Sequence, residues 1–207
     1  MPRRVHLQRR GGSSRLTIEK TAQESGAKTA RKRGLRRIFG PNLFAVVISV
    51  AVAVLIRVFV FQSFFIPSGS MIPTLQVGDR IVVSKLAFDL GSVREGDIVV
   101  FRRPAADTVD PGIEDLVKRV IGLPGQTIWS SKGHVYINGK MLSEPYLPPG
   151  DLTYHLKRQT IPKGEYFLMG DNRGNSYDSR YFGPVPGSLF VGKVVLRFYP
   201  FSRFAVL

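Results

Sequence analysis

Three short clusters in the sequence carry side chains that could perform chemistry. The first, residues 66–75, places prolines and a glycine around two serine hydroxyls, so its backbone is stiff at some points and free at others. The second, residues 115–122, is a β-branched run that contains Lys118 among apolar residues, and the third, residues 170–183, is dense in Asn, Asp, Ser, Arg and Gly. Taken singly, the three are also typical of a turn, of a strand with a solvated lysine and of a hydrogen-bonded surface loop.

Taken together, the clusters fit catalysis by a serine whose proton is accepted by a lysine. A serine hydroxyl needs a base near neutral pH, and the three histidines of the chain are scattered without a suitably spaced partner. A lysine can act as a base only when it is neutral, so its pKa must fall by several units from about 10.4. Burial can lower a lysine pKa by about 3–5 units, and the apolar neighbours Val117, Val120 and Ile121 make Lys118 suitable for such burial. Ser–Lys pairs are an established variant of triad catalysis.

The composition excludes several other kinds of chemistry. The chain has no cysteine, which rules out disulfides, thiolate metal sites, iron–sulfur clusters and cysteine nucleophiles. Its histidines, His6, His134 and His155, have no neighbour at metal-ligand spacing, and no Gly-rich loop leads into a helix. We therefore expect neither a bound metal nor a cofactor.

The charge of the chain is concentrated at its N-terminus. The net charge is +15 over 207 residues, and residues 1–40 hold 12 Lys+Arg against 2 acidic residues, which accounts for +10. Residues 41–207 carry only +5 and show no aromatic–basic stripe, so we expect no nucleic-acid partner, although a strongly basic chain first suggests one. Residues 1–40 lack apolar periodicity and are predicted to form a basic, disordered cytoplasmic tail.

An apolar segment follows the tail and predicts a single transmembrane helix over residues 41–62. The 19 residues from 38 to 56 separate Arg37 from Arg57 without a charge, and about 20 helical residues span the roughly 30 Å hydrocarbon core of a bilayer. By the positive-inside rule, the N-terminus stays in the cytoplasm and the rest of the chain lies on the exported side of the cell membrane, periplasmic or extracellular. The alternatives are a buried core helix and a cleaved secretory signal, but no good small-x-small cleavage site follows.

The pattern after this segment predicts a mainly β domain over residues 63–207. Short β-branched runs alternate with Gly and Pro turns, and Asn138-Gly139 between two apolar runs is typical of a hairpin. No stretch after residue 66 shows ten residues of helical periodicity. Residues 103–115 and 143–153, rich in Pro and acidic residues, are predicted to be surface loops. The predicted strands are Arg80–Lys85, Asp97–Arg102, Leu116–Ile121, Thr127–Ser130, His134–Ile137, Tyr166–Met169 and Val191–Phe198.

The clusters also resemble the sequence boxes of one known family, the type I signal peptidases, or leader peptidases. The resemblance is carried by residues 68–75 (Ser-Gly-Ser-Met-Ile-Pro-Thr-Leu), 96–101 (Gly-Asp-Ile-Val-Val-Phe), 118–125 (Lys-Arg-Val-Ile-Gly-Leu-Pro-Gly) and 170–183. The boxes occur in the order of that family, and four ordered boxes are far more specific than any one of them. The match extends from the apolar segment to the C-terminus and leaves the basic tail uncovered.

The resemblance implies a membrane-anchored serine endopeptidase that removes signal peptides from secreted preproteins after small residues. It implies an antiparallel β-sheet catalytic domain of signal-peptidase type, preceded by the single transmembrane helix. Ser70 would be the nucleophile and Lys118 the general base, while Ser68 would donate to the oxyanion hole beside the Ser70 backbone N–H. The partners would be signal peptides and the lipid bilayer, and the enzyme would function as a monomer.

The resemblance also implies supporting roles for four residues. Ser176 would hydrogen-bond Lys118 and orient it, Asp178 and Arg180 would pair to hold their loop, and Met71 would help to line the site. Residues 127–163 would form a reduced version of a second, variable subdomain. Gly174 and Gln126 stand where many relatives have Asp, and these departures affect loop detail rather than the reaction.

Two other functions compete with this interpretation. An anchored β-domain could bind peptides without chemistry, but such a protein could lose Ser70, Lys118 and Ser176, and all three are present. A self-cleaving Ser–Lys repressor would carry a DNA-binding helix pair before its serine, whereas here a predicted membrane anchor precedes it.

Overall fold

The computed structural model of the chain describes residues 43–54, 60–88, 91–107, 112 and 114–207. These residues belong to two units that divide between Val54 and Leu55. In the first unit, residues 43–54 form helix α1, whose apolar side chains are largely exposed. Within the described ranges, no helix combines the length and the apolar character needed to cross a membrane.

Some of the predictions made from the sequence for the N-terminal region fall on residues outside the described ones. This holds for the tail over residues 1–40 and for residues 41–42 and 55–59 of the segment predicted to cross the membrane. Phe61 and Gln62, which the predicted boundary placed at the end of that segment, belong instead to the first strand of the second unit. The predicted boundary at residue 62 therefore overlaps β1 by two residues, because Phe61 continues the apolar run of the preceding segment in the sequence.

The second unit is mainly antiparallel β structure, as the sequence predicts. Its described strands are β1 (Phe61–Phe65), β2 (Arg80–Ser84), β3 (Ile98–Arg102), β4 (Asp115–Gly122), β5 (Thr127–Ser131), β6 (His134–Ile137), β7 (Lys140–Met141), β8 (Gln159–Thr160), β9 (Glu165–Met169), β10 (Val185–Pro186), β11 (Phe190–Tyr199) and β12 (Ala205–Val206). One short helix, α2 (Ser179–Phe182), and three 3₁₀ turns, Arg173–Asn175, Gly187–Leu189 and Phe201–Arg203, complete the described elements after residue 60.

The strands form two sheets. The larger has the order β1-β2-β11-β3-β4-β9-β10, with β12 paired to β11, and the smaller has the order β7-β6-β5-β8. The smaller sheet lies entirely within the predicted segment 127–163. Its first hairpin turns at Asn138 and Gly139, which both have positive φ values of 50° and 87°, the conformation that an Asn-Gly hairpin turn requires.

The core lies on both faces of β3 at the centre of the larger sheet. Ile98 and Val100 pack into one cluster with residues of β2, while Val99 and Phe101 pack into another with Leu168. The first four residues of β3 are therefore all buried, which explains why this part of the strand is uniformly apolar rather than alternating.

A third cluster joins the two sheets. It contains Ile128 and Val135 of the smaller sheet together with Phe167 of β9. Gly122 permits this contact, because a Cβ atom there would lie 2.4 Å from the Cδ1 atom of Ile161. The two sheets therefore pack against each other through a close approach at the end of β4.

The seven predicted strands are all present, with ends that shift by one residue at most. The strands without a prediction are β1, which the sequence analysis attached to the apolar segment, and the two-residue strands β7, β8, β10 and β12. Two residues cannot show an alternating pattern, so such strands are determined by the partner they pair with rather than by their own sequence.

Candidate active site

The first element of the site is the serine loop, residues 66–79, which connects β1 to β2. Hydrogen bonds close the base of the loop, from Ile66 N to Asp79 O at 2.9 Å and from Gly78 N to Ile66 O at 3.0 Å. Met71 and Leu75 are buried in the cluster beneath β2 and β3 and fix the loop to the core. Ser70 immediately precedes this buried Met71 and remains partly exposed.

The second element is Lys118 on β4, whose side chain reaches Ser70. The Nζ atom of Lys118 lies 2.7 Å from the Oγ atom of Ser70, within hydrogen-bond distance. The hydroxyl of Ser68 donates to the same oxygen across 3.4 Å. Ser70 and Lys118 are 48 residues apart in the chain. Their side chains and the Ser68 hydroxyl therefore meet at one oxygen atom, the Oγ atom of Ser70.

Burial changes the acidity of Lys118. The residue is only 4% exposed, and this loss of hydration lowers its pKa from 10.5 to about 8. The negative charges of Asp178, Asp107 and Asp171 oppose the decrease, while the positive charge of Arg180 adds to it. A lysine of this pKa is neutral in about a tenth of molecules at pH 7, and the neutral form can accept a proton from a hydroxyl.

The third element is the polar loop, residues 170–183, which follows β9. Asp178 is fully buried and accepts hydrogen bonds from Gly170 N at 3.0 Å and from Arg180 Nε at 2.8 Å. Arg180 also donates to the main-chain oxygens of Arg173 and Ser176, at 2.9 and 3.2 Å. Asp178 and Arg180 thus lie together and cross-link the loop, since one buried carboxylate and one guanidinium bind four points of its backbone.

Ser176 lies beside the serine–lysine pair without a hydrogen bond to it. Its Oγ atom is buried and has no hydrogen-bond partner among the described residues, so the predicted hydrogen bond to Lys118 is not present. The hydroxyl occupies the space next to Gly170, where a Cβ atom would lie 2.2 Å from Ser176 Oγ and 2.4 Å from Ser70 O. The sequence analysis was wrong about this contact because the direction of a serine hydroxyl depends on the packing around it.

Asn172 binds the backbone of the serine loop directly, a contact that the sequence analysis did not identify. Its side-chain Nδ2 donates to Gly69 O at 3.1 Å, and its main-chain N donates to Ser70 O at 3.1 Å. The polar loop therefore holds the backbone on both sides of the Ser70 nitrogen. The residue lies within a cluster that the sequence singled out, but its sequence gives no sign of its partner.

Arg119 links all three elements and was also missed. It directly follows Lys118, and its guanidinium donates to both carboxylate oxygens of Asp171, at 2.8 and 2.6 Å, and to Gly96 O at 2.8 Å. Thr74 of the serine loop donates to the same carboxylate at 2.5 Å. Strand β4, the polar loop and the serine loop are therefore joined around one buried aspartate.

The C-terminal part of the chain supports the serine loop from its other side. Arg203 donates to both carboxylate oxygens of Asp79, at 2.9 and 3.0 Å, and Arg197 on β11 approaches the same carboxylate to 3.8 Å. Arg197 also donates to the carbonyl oxygen of Thr74. The last residues of the chain thus fix both the middle and the end of the serine loop.

A cleft passes the serine hydroxyl between two extended segments. One side is formed by residues 64–67 at the end of β1 and the other by residues 115–118 of β4, and Ser70 and Met71 border the cleft. Extended backbone on both sides is a geometry that can receive a peptide as an additional strand. Among the described residues, no group of His, Cys, Asp and Glu is arranged to hold a metal ion.

A buried lysine in contact with a serine hydroxyl, beside a cleft that fits an extended peptide, is typical of Ser–Lys hydrolases. Comparison with known proteins identifies the family. The family model for signal peptidase, peptidase S26, matches residues 41–199. The probable signal peptidase I-2 of Synechocystis is 42% identical over 163 residues, which cover 78% of this chain and 73% of that protein.

A second relative agrees with this family. Signal peptidase I of Bacillus caldolyticus is 40% identical over 171 residues, covering 76% of this chain and 90% of that protein. A crystal structure of a signal peptidase I from Enterococcus faecalis aligns at 32% identity with a TM-score of 0.41, covering 50% of this chain and 97% of that chain. The chain belongs to the signal peptidase family, peptidase S26, and is therefore a peptidase; the resemblance noted from the sequence is confirmed.

Proposed function

We propose that this peptidase removes signal peptides from secreted preproteins with Ser70 as the nucleophile and Lys118 as the general base. The observation that carries the proposal is the 2.7 Å contact between Lys118 Nζ and Ser70 Oγ. The lowered pKa of Lys118, which burial brings to about 8, supports the same assignment because the base must be neutral before it can accept a proton. All the proposed catalytic groups come from one chain, so a monomer is sufficient.

The reaction proceeds in two balanced steps. Neutral Lys118 takes the proton of Ser70 Oγ as that oxygen attacks the scissile carbonyl carbon, and the ammonium then gives the proton to the departing amine. A water molecule next attacks the acyl-enzyme, with Lys118 again accepting and returning a proton, and the signal peptide leaves as a free acid. The Ser68 hydroxyl and the Ser70 backbone N–H stabilise the oxyanion, a contribution of about 3–4 kcal/mol per donor in comparable sites.

Ser176, Asp178, Arg180 and Met71 support this chemistry without taking part in bond making. Asp178 and Arg180 keep the polar loop in place through their hydrogen bonds to its backbone. Ser176 is buried next to Gly170, where its hydroxyl fills the space beside the polar loop. Met71 fills the floor of the cleft beside the nucleophile.

Cleavage is expected to require small residues at the last and third-from-last positions of the signal peptide. The cleft runs between β1 and β4 and is bordered by apolar groups such as Ile66 and Val117, which leave little room for large side chains. The test is to incubate the full chain in detergent with a preprotein and to sequence the N-terminus of the product. A single cut after Ala is expected, and replacing that Ala by Leu should abolish it. Equal cleavage of both substrates would contradict the proposed function.

We also propose that residues 41–60 anchor the enzyme in the cell membrane, with the N-terminal tail in the cytoplasm and the peptidase domain on the exported side. The support is the uncharged run of 19 residues after a tail of net charge +10. Because the chain has no cysteine, single cysteines can report its orientation. In right-side-out membrane vesicles, a membrane-impermeant maleimide should label Ser131→Cys at once and Ser14→Cys only after lysis. The reverse labelling order would contradict this orientation.

A further inference from the structure

The segment between β7 and β8 reaches from the smaller sheet to the polar loop. We call the group formed by Glu144, Tyr146 and Thr153 with Arg173 the clamp. Arg173 forms an ion pair with the Glu144 carboxylate and donates to Thr153 Oγ1 at 2.7 Å. The Tyr146 hydroxyl donates to Glu144 Oε1 at 2.8 Å. Arg173 and Thr153 are only 3% and 1% exposed, so the segment 143–153 is not the purely superficial loop that its composition predicts.

One arm of the clamp acts on the polar loop. The Nε atom of Arg173 donates to Gly170 O at 3.1 Å, and the main-chain oxygen of Arg173 accepts from Arg180 at 2.9 Å. At Gly170 the polar loop lies close to the serine loop, since a Cβ atom there would lie 2.4 Å from Ser70 O. Glu144, by holding Arg173, therefore fixes the position at which the two loops meet.

The other arm acts on the strand that carries the lysine. The guanidinium of Arg119 lies over the ring of Tyr146, 4.0 Å from its centroid, and the same guanidinium binds Asp171 and Gly96. Burial, with the neighbouring Glu144 carboxylate, raises the pKa of Tyr146, so its hydroxyl stays protonated and remains a donor. The ring of Tyr146 thus contacts Arg119, which follows Lys118 in the chain. Its hydroxyl contacts Glu144, which pairs with Arg173.

The arrangement is better suited to fixing geometry than to adding stability. A buried ion pair often contributes no more to the free energy of unfolding than apolar side chains of similar volume would. It does specify one arrangement of its partners, because a carboxylate that binds a guanidinium through two oxygens tolerates few other positions. One arm ends at Gly170, beside the backbone of Ser70, and the other ends at Arg119, which directly follows Lys118.

We propose that Glu144 and Tyr146 are positioning residues for the peptidase reaction: through Arg173 and Arg119 they hold the polar loop and β4 so that Lys118 faces Ser70 Oγ. The inference rests on the proposed function, because it assigns a task to residues of the segment between β7 and β8 in the reaction of the Ser70–Lys118 pair. Neither residue touches substrate, so both should influence turnover more than substrate binding.

The test compares clamp variants with matched controls in the full chain. Glu144→Ala and Tyr146→Leu are expected to lower kcat by about 10–100-fold while KM changes less than about twofold, since small misplacements of reacting groups have effects of this size. Glu144→Gln should recover part of the loss, because its amide oxygen can still accept from Tyr146. The controls are Asp151→Asn in the same segment and Tyr154→Phe, whose side chain is 55% exposed, and both should keep wild-type kcat.

A double-mutant cycle and hydrogen exchange separate positioning from simple destabilisation. In an Arg173→Ala background, Glu144→Ala should lower kcat little further. If the two residues acted independently, their separate reductions in kcat would multiply. In Glu144→Ala, backbone amides of residues 170–176 should exchange faster while those of β3 stay protected. If Glu144→Ala does not fold, Tyr146→Phe, which removes one hydroxyl and keeps the ring on Arg119, replaces it with an expected loss of about threefold or more in kcat.

The possible failures can be told apart. Wild-type kcat in folded Glu144→Ala and Tyr146→Leu, or unchanged exchange over residues 170–176, would overturn the positioning role. If Ser70→Ala cleaved preproteins normally, the proposed function itself would fail, and the exchange measurement would still decide whether the clamp holds the polar loop. A change in KM alone, with kcat constant, would assign Glu144 and Tyr146 to substrate binding and contradict the proposal.

Discussion

Ser70→Ala is expected to lower kcat/KM for preprotein cleavage by about 10⁴-fold or more, because removal of a serine nucleophile leaves only the contribution of substrate binding and the oxyanion donors. The Ser68 hydroxyl is not expected to replace the missing one, since the Nζ atom of Lys118 lies at the Oγ atom of Ser70 and Ser68 is held 3.4 Å to the side of that oxygen. The free energy of unfolding should change by less than about 1 kcal/mol, because only one partly exposed hydroxyl is lost. The measurement is initial-rate cleavage of a defined preprotein, with thermal unfolding followed in parallel.

A matched variant separates a catalytic effect from a general one. Ser131→Ala removes an exposed hydroxyl from the end of β5 in the smaller sheet and should leave the rate unchanged. Retention of more than about a tenth of the wild-type rate in Ser70→Ala would remove Ser70 from the role of nucleophile. A large loss of stability in the same variant would mean that the rate reports unfolding, and the rate would then be measured at a lower temperature.

The parts of the fold that the sequence predicts are those whose signal is local. Strand β3 is a continuous apolar run because both of its faces are covered, and that run is visible without knowledge of what covers it. Asn138-Gly139 predicts its turn because few other dipeptides adopt positive φ at both positions. Lys118 is a candidate for the same reason, because its apolar neighbours Val117, Val120 and Ile121 suit a buried lysine, although the sequence alone does not decide between burial and exposure.

The contacts that the sequence does not predict are those that join distant residues. Arg203 and Asp79 are 124 positions apart, and Arg173 and Glu144 are 29 apart, so their pairing follows from the order of strands in the sheets. Composition alone makes Glu144 one more acidic residue in a Pro-rich loop. The direction of the Ser176 hydroxyl is equally invisible in the sequence, since it is set by packing against Gly170. Chemistry was therefore predictable by residue type, whereas positioning was not.

Lys118→Met is expected to abolish cleavage and, at the same time, to stabilise the folded protein at neutral pH. Methionine has similar length and is apolar, so it fills the site without a proton acceptor. Wild-type kcat/KM should rise about tenfold between pH 7 and pH 9 with a midpoint near pH 8, because the pKa of about 8 leaves roughly a tenth of the lysine neutral at pH 7. Lys118→Arg should also be inactive, since a guanidinium stays charged throughout this range. Lys140→Ala on the exposed strand β7 is the matched control and should keep both rate and pH profile.

The stability of Lys118→Met tests the same pKa without an activity measurement. Because the folded-state pKa is depressed from 10.5 to about 8, the unfolded chain binds a proton more tightly, and the folded protein loses about 3 kcal/mol at every pH below about 8. This cost decreases as the pH rises from 8 through 10.5, and above that pH the lysine is neutral in both states. The difference in unfolding free energy between Lys118→Met and wild type should therefore shrink by about 3 kcal/mol over that window. The contributions of the other titrating groups cancel in this difference because both proteins contain them. A difference that stays constant with pH would mean that Lys118 keeps an ordinary pKa in the folded protein, and such a lysine would be a poor base for Ser70 at neutral pH.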